Sequence, residues 1–117
     1  MRPASPHMPA RDEPALRITT VTTAPVLVVR ARGDLDRDTG PLLTGYSRDL
    51  LDRYPSRPFL LDLADIGYLG AAGITALLHV RGDPTEEDVR LQLYRPSPTV
   101  LWILDTVGLT DTFVITD

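Results

Sequence analysis

Apolar and polar positions change rhythm along the chain, and the changes divide it into strands and helices. Leu16-Arg17-Ile18-Thr19-Thr20-Val21 alternates apolar with polar residues and is rich in β-branched side chains, which predicts a half-exposed first strand. Val26 to Arg32, after Pro25 and ending at Gly33, predicts a second strand, and the short gap between the two favours an antiparallel hairpin. Leu42, Leu43, Tyr46, Leu50 and Leu51 then fall at the spacing of one apolar stripe. They predict a helix that starts near Pro41, runs to about Tyr54 and is closed off by Pro55 and Pro58. Phe59-Leu60-Leu61-Asp62-Leu63 has the continuous apolar character of a central strand covered on both faces. A turn follows, and then a helix from Ala71 to about Arg81, with Ile74, Leu77 and Leu78 towards the sheet and Gly82-Asp83-Pro84 at its end. Val89 to Tyr94 alternates as a fourth strand stopped by Pro96. Ser97 caps a third helix carrying Val100, Leu101, Ile103, Leu104 and Val107, which Gly108 ends, and Phe113-Val114-Ile115 makes a short last strand. The order β-β-α-β-α-β-α-β predicts a single α/β domain with a mixed sheet of four to five strands and three to four helices.

Composition narrows the chemistry. A chain of 117 residues supports one modest core. Residues 1–14, rich in proline and poor in large apolar side chains, are expected to form a disordered leader, and residues 15–117 the domain. A net charge of −4 argues against a broad nucleic-acid surface. Without cysteine there is no disulfide, iron–sulfur cluster or thiol nucleophile. No apolar run approaches the roughly 18 residues of a membrane span, and the start lacks a signal-peptide core, so a cytoplasmic location without membrane insertion is expected.

Candidate catalytic and metal arrangements fail on spacing. Asp34, Asp36 and Asp38 alternate like the start of a calcium loop, but Thr39 and Gly45 stand where glycine and glutamate are required. Solvated carboxylates at a helix start are the simpler account of them. His79, at the edge of the second helix's apolar face, has no second ligand at metal spacing, and His7 lies in the leader. Ser47 and Ser97 do not sit on a Gly-x-Ser-x-Gly elbow. Gly67, Gly70 and Gly73, spaced by threes before the second helix, form no phosphate loop and read as allowing a tight turn and the close approach of another backbone. No catalytic residue, metal or cofactor is expected. Trp102, beside Leu101 and Ile103, is expected to be a partly buried packing residue; exposed, it would mark a second contact surface.

Four segments in order carry a family resemblance. They are Gly33-Asp34-Leu35-Asp36 followed by Thr39, the strand Leu61-Asp62-Leu63, the turn Gly70-Ala71-Ala72-Gly73, and Val107-Gly108-Leu109 followed by Phe113 and Ile115. From about Leu16 to Ile115 the chain resembles STAS domains, the fold of bacterial anti-sigma factor antagonists. The resemblance implies a non-catalytic binding module whose partner is an anti-sigma factor with a serine-kinase, ATP-binding fold, and which frees a sigma factor on binding. In that family the turn reads Asp-Ser-Ser-Gly or similar, and its second hydroxyl residue is phosphorylated. A phosphate there adds about −2 charge to the partner surface and breaks the complex.

Here the matching residues are Gly70, Ala71, Ala72 and Gly73, so the resemblance implies a partner-binding turn without the usual phosphate acceptor at Ala72. Gly70, Ala71, Ala72, Gly73 and Ile74 are the implied contact residues, with Asp34 and Asp36 beside them. Thr75, one helical turn beyond Ala72, is the alternative acceptor, although an exposed helix threonine is its simpler reading. Three outcomes stay open: an antagonist that its kinase cannot switch off, a non-switching scaffold among other STAS proteins in a stressosome-like or transporter-associated complex, or a degenerate copy.

Overall fold

A computed structural model of the chain describes residues 15–82 and 90–117. The expected leader, Asp83, Pro84 and Val89 lie outside the described residues. The elements are β1 (Leu16–Thr22), β2 (Leu27–Leu35), α1 (Gly40–Arg53), β3 (Phe59–Leu69), α2 (Ala71–Arg81), β4 (Leu91–Tyr94), α3 (Pro98–Thr106), a 3-10 turn (Thr110–Thr112) and β5 (Val114–Thr116).

The five strands form one mixed sheet in the order β1-β2-β3-β4-β5. β1 and β2 make the antiparallel hairpin, and every later pairing is parallel, with a helix in each crossover. Register sorts the side chains by face. Val29, Leu61, Leu93 and Ile115 stand in one row, and Arg30, Asp62, Tyr94 and Thr116 in the adjacent row, pointing to the opposite face. The first row joins the core, where Leu43 and Leu50 of α1, Leu77 and Val80 of α2, and Val100 and Leu104 of α3 belong to the same buried cluster. The opposite face is mixed, with Val28, Leu60 and Val114 in the row next but one to these polar residues. On it Asp62 is only 2% exposed at its side chain, and it accepts from Arg95 Nη2 at 2.7 Å, Arg30 Nε at 3.4 Å and the Ala64 N–H at 3.0 Å.

The third helix starts as its sequence predicts. The Ser97 hydroxyl accepts from the Val100 N–H at 3.2 Å and donates to the Ile66 carbonyl at 2.7 Å, which fastens the helix to β3. At its far end Gly108 adopts φ 76°, and the Leu109 N–H reaches the Leu104 carbonyl at 2.8 Å.

Three expectations are corrected. β3 does not turn after Leu63; it continues through Gly67 to Leu69 alongside β2, which itself passes Gly33 to reach Leu35. The leucine stripe of α1 is rotated, with Leu43 fully buried and Leu42 59% exposed. At the start of the helix Gly40 lies close against α2, where a Cβ on it would come 3.1 Å from the Ala72 carbonyl oxygen and 3.4 Å from Ala76 Cβ. Leu101, Trp102 and Val107 of the α3 segment are exposed rather than packed.

Candidate partner-binding face

The strands β2 and β3 end side by side at Leu35 and Leu69, and α2 begins directly above them. The Gly70 N–H donates to the Leu35 carbonyl at 2.9 Å, and the Gly70 carbonyl accepts the first helical bond from Ile74 at 3.0 Å. Gly70 caps α2 with φ −94° and ψ 180° and no side-chain hydrogen bond. Its first turn therefore has neither a capping oxygen nor an acidic residue, and the positive end of the helix dipole meets the surroundings bare.

Gly73 explains how the helix comes so close to the sheet. A Cβ there would sit 2.5 Å from the Leu35 carbonyl oxygen and 2.8 Å from both Leu35 Cβ and Leu69 Cδ1. The close approach read from the glycine spacing is thus real at Gly73. Gly67, by contrast, has nothing within 4 Å of such an atom and serves no tight turn.

The loop between β2 and α1 folds on its own polar side chains. Asp36 Oδ1 accepts from the N–H groups of Asp38 at 2.9 Å and Thr39 at 3.0 Å. The Thr39 hydroxyl accepts from the Asp36 N–H at 2.9 Å and donates to the Asp34 carbonyl at 2.7 Å. The Thr39 N–H holds the Asp36 carboxyl below the usual carboxylate range, against a smaller opposing effect of burial. Asp36 is thereby committed to shaping the loop, while the Asp34 side chain is exposed.

Two depressions share Ala72. One, of about 360 Å³, lies between the Asp36–Asp38 loop and Tyr68, Gly70 and Ala71. The other, of about 560 Å³, runs between α1 and α2 past Pro41, Thr44 and Gly45 on one wall and Ala72, Thr75 and Ala76 on the other, with Arg37 and His79 on its rim. The structure thus brings Gly70, Ala71, Ala72 and Asp36 to one surface. Gly73 is buried beneath it, and Ile74 is half-buried against the core. Asp34 stands beside the site, in register with Tyr68. The Thr75 hydroxyl is on the groove wall and donates back to the Ala71 carbonyl at 3.1 Å.

Sequence reasoning missed Tyr68, Arg37 and Pro41. Tyr68 fell in a stretch read as a turn, and its exposure follows from β3 running on to Leu69.

The family model described as "Mlab, STAS domain" matches residues 18–116. The chain belongs to the STAS domain family. Solved structures agree with this STAS domain in fold. An anti-sigma factor antagonist from Mycobacterium paratuberculosis superposes with a TM-score of 0.74 at 20% identity, over 93% of this chain and 90% of that one. The anti-sigma factor antagonist SpoIIAA in its unphosphorylated form gives 0.62 at 18% identity, over 88% and 89%. The Bacillus cell fate determinant SpoIIAA in its phosphorylated form gives 0.61 at 17% identity, over 88% and 92%. No curated protein matches this chain in sequence. Among the described residues no helix is long and apolar enough to cross a membrane.

Proposed function

We propose that this STAS domain is a non-catalytic, cytoplasmic binding module of the anti-sigma factor antagonist kind, which grips a serine-kinase-fold anti-sigma factor and thereby frees a sigma factor. The observation that carries the reading is the bare first turn of α2, with Gly70, Ala71 and Ala72 lining one depression with the Asp36–Asp38 loop. Small side chains there let a partner's backbone approach closely, and Tyr68 offers an aromatic anchor at the rim. The site adds contacts, not reaction chemistry.

Ala72 stands, on this reading, where the relatives carry the phosphorylated hydroxyl. The antagonist then binds without its usual off-switch, and Thr75 is the nearest hydroxyl that a kinase could reach on the same helix.

The test is direct binding to a kinase-type anti-sigma factor from the same cells, by calorimetry, with and without ATP. Binding that ATP and prolonged incubation do not reverse, with no phosphate on the chain, supports the unswitched antagonist. A second reading, a STAS scaffold or regulatory subunit of a larger stressosome-like or transporter-associated complex, draws on the same missing hydroxyl. It predicts self-association or association with other STAS proteins in sedimentation, and no affinity for the kinase.

A further inference from the structure

The third helix carries a second exposed surface that the α2 face does not explain. Trp102 is 65% exposed and its neighbour Leu101 41%, and Val107, the residue that caps the end of the helix, is exposed as well. An exposed apolar patch built on an indole is informative, because tryptophan is among the residues enriched in interface hot spots. The core explains only the other side of this helix, where Val100 and Leu104 are fully buried.

The charge that α3 itself sets beside the patch is acidic. Asp105 lies one turn beyond both Leu101 and Trp102, and from Pro96 to the last residue the chain carries Asp105, Asp111 and Asp117 and no basic residue. We propose that α3 is a docking surface for a basic amphipathic helix of a protein partner, with apolar side chains against Trp102 and Leu101 and arginine or lysine against Asp105. A second copy of this chain fits poorly, because a two-fold contact centred on this side of α3 would bring the two Asp105 carboxylates together. An anionic membrane surface would be repelled by the same carboxylates. The arginine guanidinium suits the site twice, as ion-pair partner of Asp105 and over the Trp102 ring.

Trp102 is the one tryptophan of the chain, so its fluorescence reports on this surface alone. The probe is a synthetic leucine–arginine peptide of amphipathic helical pattern, titrated into the native protein. A saturable blue shift is expected, weakening with salt. Asp105→Asn should weaken it about two- to fivefold, and Leu101→Ser should weaken it as well, each with unchanged far-UV circular dichroism. Absence of a shift overturns the proposal, as does an equal shift with a leucine–glutamate peptide. A shift produced by raising the protein concentration alone overturns it too, in favour of self-association.

Discussion

Arg95, the residue directly after β4, donates to the Asp62 carboxylate in the middle of β3 over 2.7 Å and so ties the two strands together across the open face of the sheet. Burial pushes the Asp62 carboxyl up, and the bonds from Arg95, the Ala64 N–H and Arg30 together bring it below its ordinary value. A carboxyl lowered by folding contributes stability that is present above its unfolded pKa of about 4 and is lost as pH falls through the folded value. Asp62→Asn should therefore cost about 2 kcal/mol at neutral pH, and the gap from wild type should close in acid. Urea unfolding from pH 7 down to pH 3 checks this, and a gap independent of pH would contradict it.

Gly73 and Gly67 should respond in opposite ways to the same added methyl group. Gly73→Ala drives a Cβ into the Leu35 carbonyl oxygen, and should cost about 2–3 kcal/mol through strain and displacement of α2. Gly67→Ala meets nothing within 4 Å, and should stay within about 0.5 kcal/mol of wild type. Thermal unfolding of the pair separates the two.

Adjacent leucines of α1 make a similar contrast. Leu43→Ala should lose about 2–5 kcal/mol, as for any fully buried leucine. Leu42→Glu, on the exposed side, should be near neutral.

Charge at the first turn of α2 should separate folding from binding. Ala72→Asp places a carboxylate at an uncapped helix start, where it should leave stability unchanged or raise it by about 0.3–1 kcal/mol. On the proposed reading the same change should weaken the kinase-fold partner markedly. Ala72→Ser, made together with Thr75→Ala, should gain one phosphate from that kinase by mass spectrometry; a bound kinase that adds none would count against the assigned register of the turn.

Local periodicity made much of this fold legible. The hairpin of β1 and β2 follows from alternation and a short gap, and Ser97 and Gly108 mark α3 because caps act within a few residues of themselves. What escaped depends on distant neighbours. A glycine at position 67 looks like a turn until β2 is seen to run beside it, and the choice between Leu42 and Leu43 depends on which side of α1 meets the core. The partner of Asp62 lies 33 residues away in sequence and is fixed by the β3–β4 register. Of the candidate site, the bare turn and Asp36 were readable as a motif, whereas Tyr68 emerged only with the full length of β3.

The chain enters the sheet at Ala15, whose carbonyl accepts from the Asp34 N–H at 2.9 Å, one strand away from Tyr68. It leaves through β5, whose Thr116 is level with Tyr94 and Asp62, well short of Leu69. The two outer strands of the sheet are thus unequal as handles. On the proposed reading, a bulky group held against the sheet at Ala15 stands near the Tyr68 rim of the α2 face, whereas one held at Thr116 stands away from it, so the point of attachment alone decides whether a partner is captured.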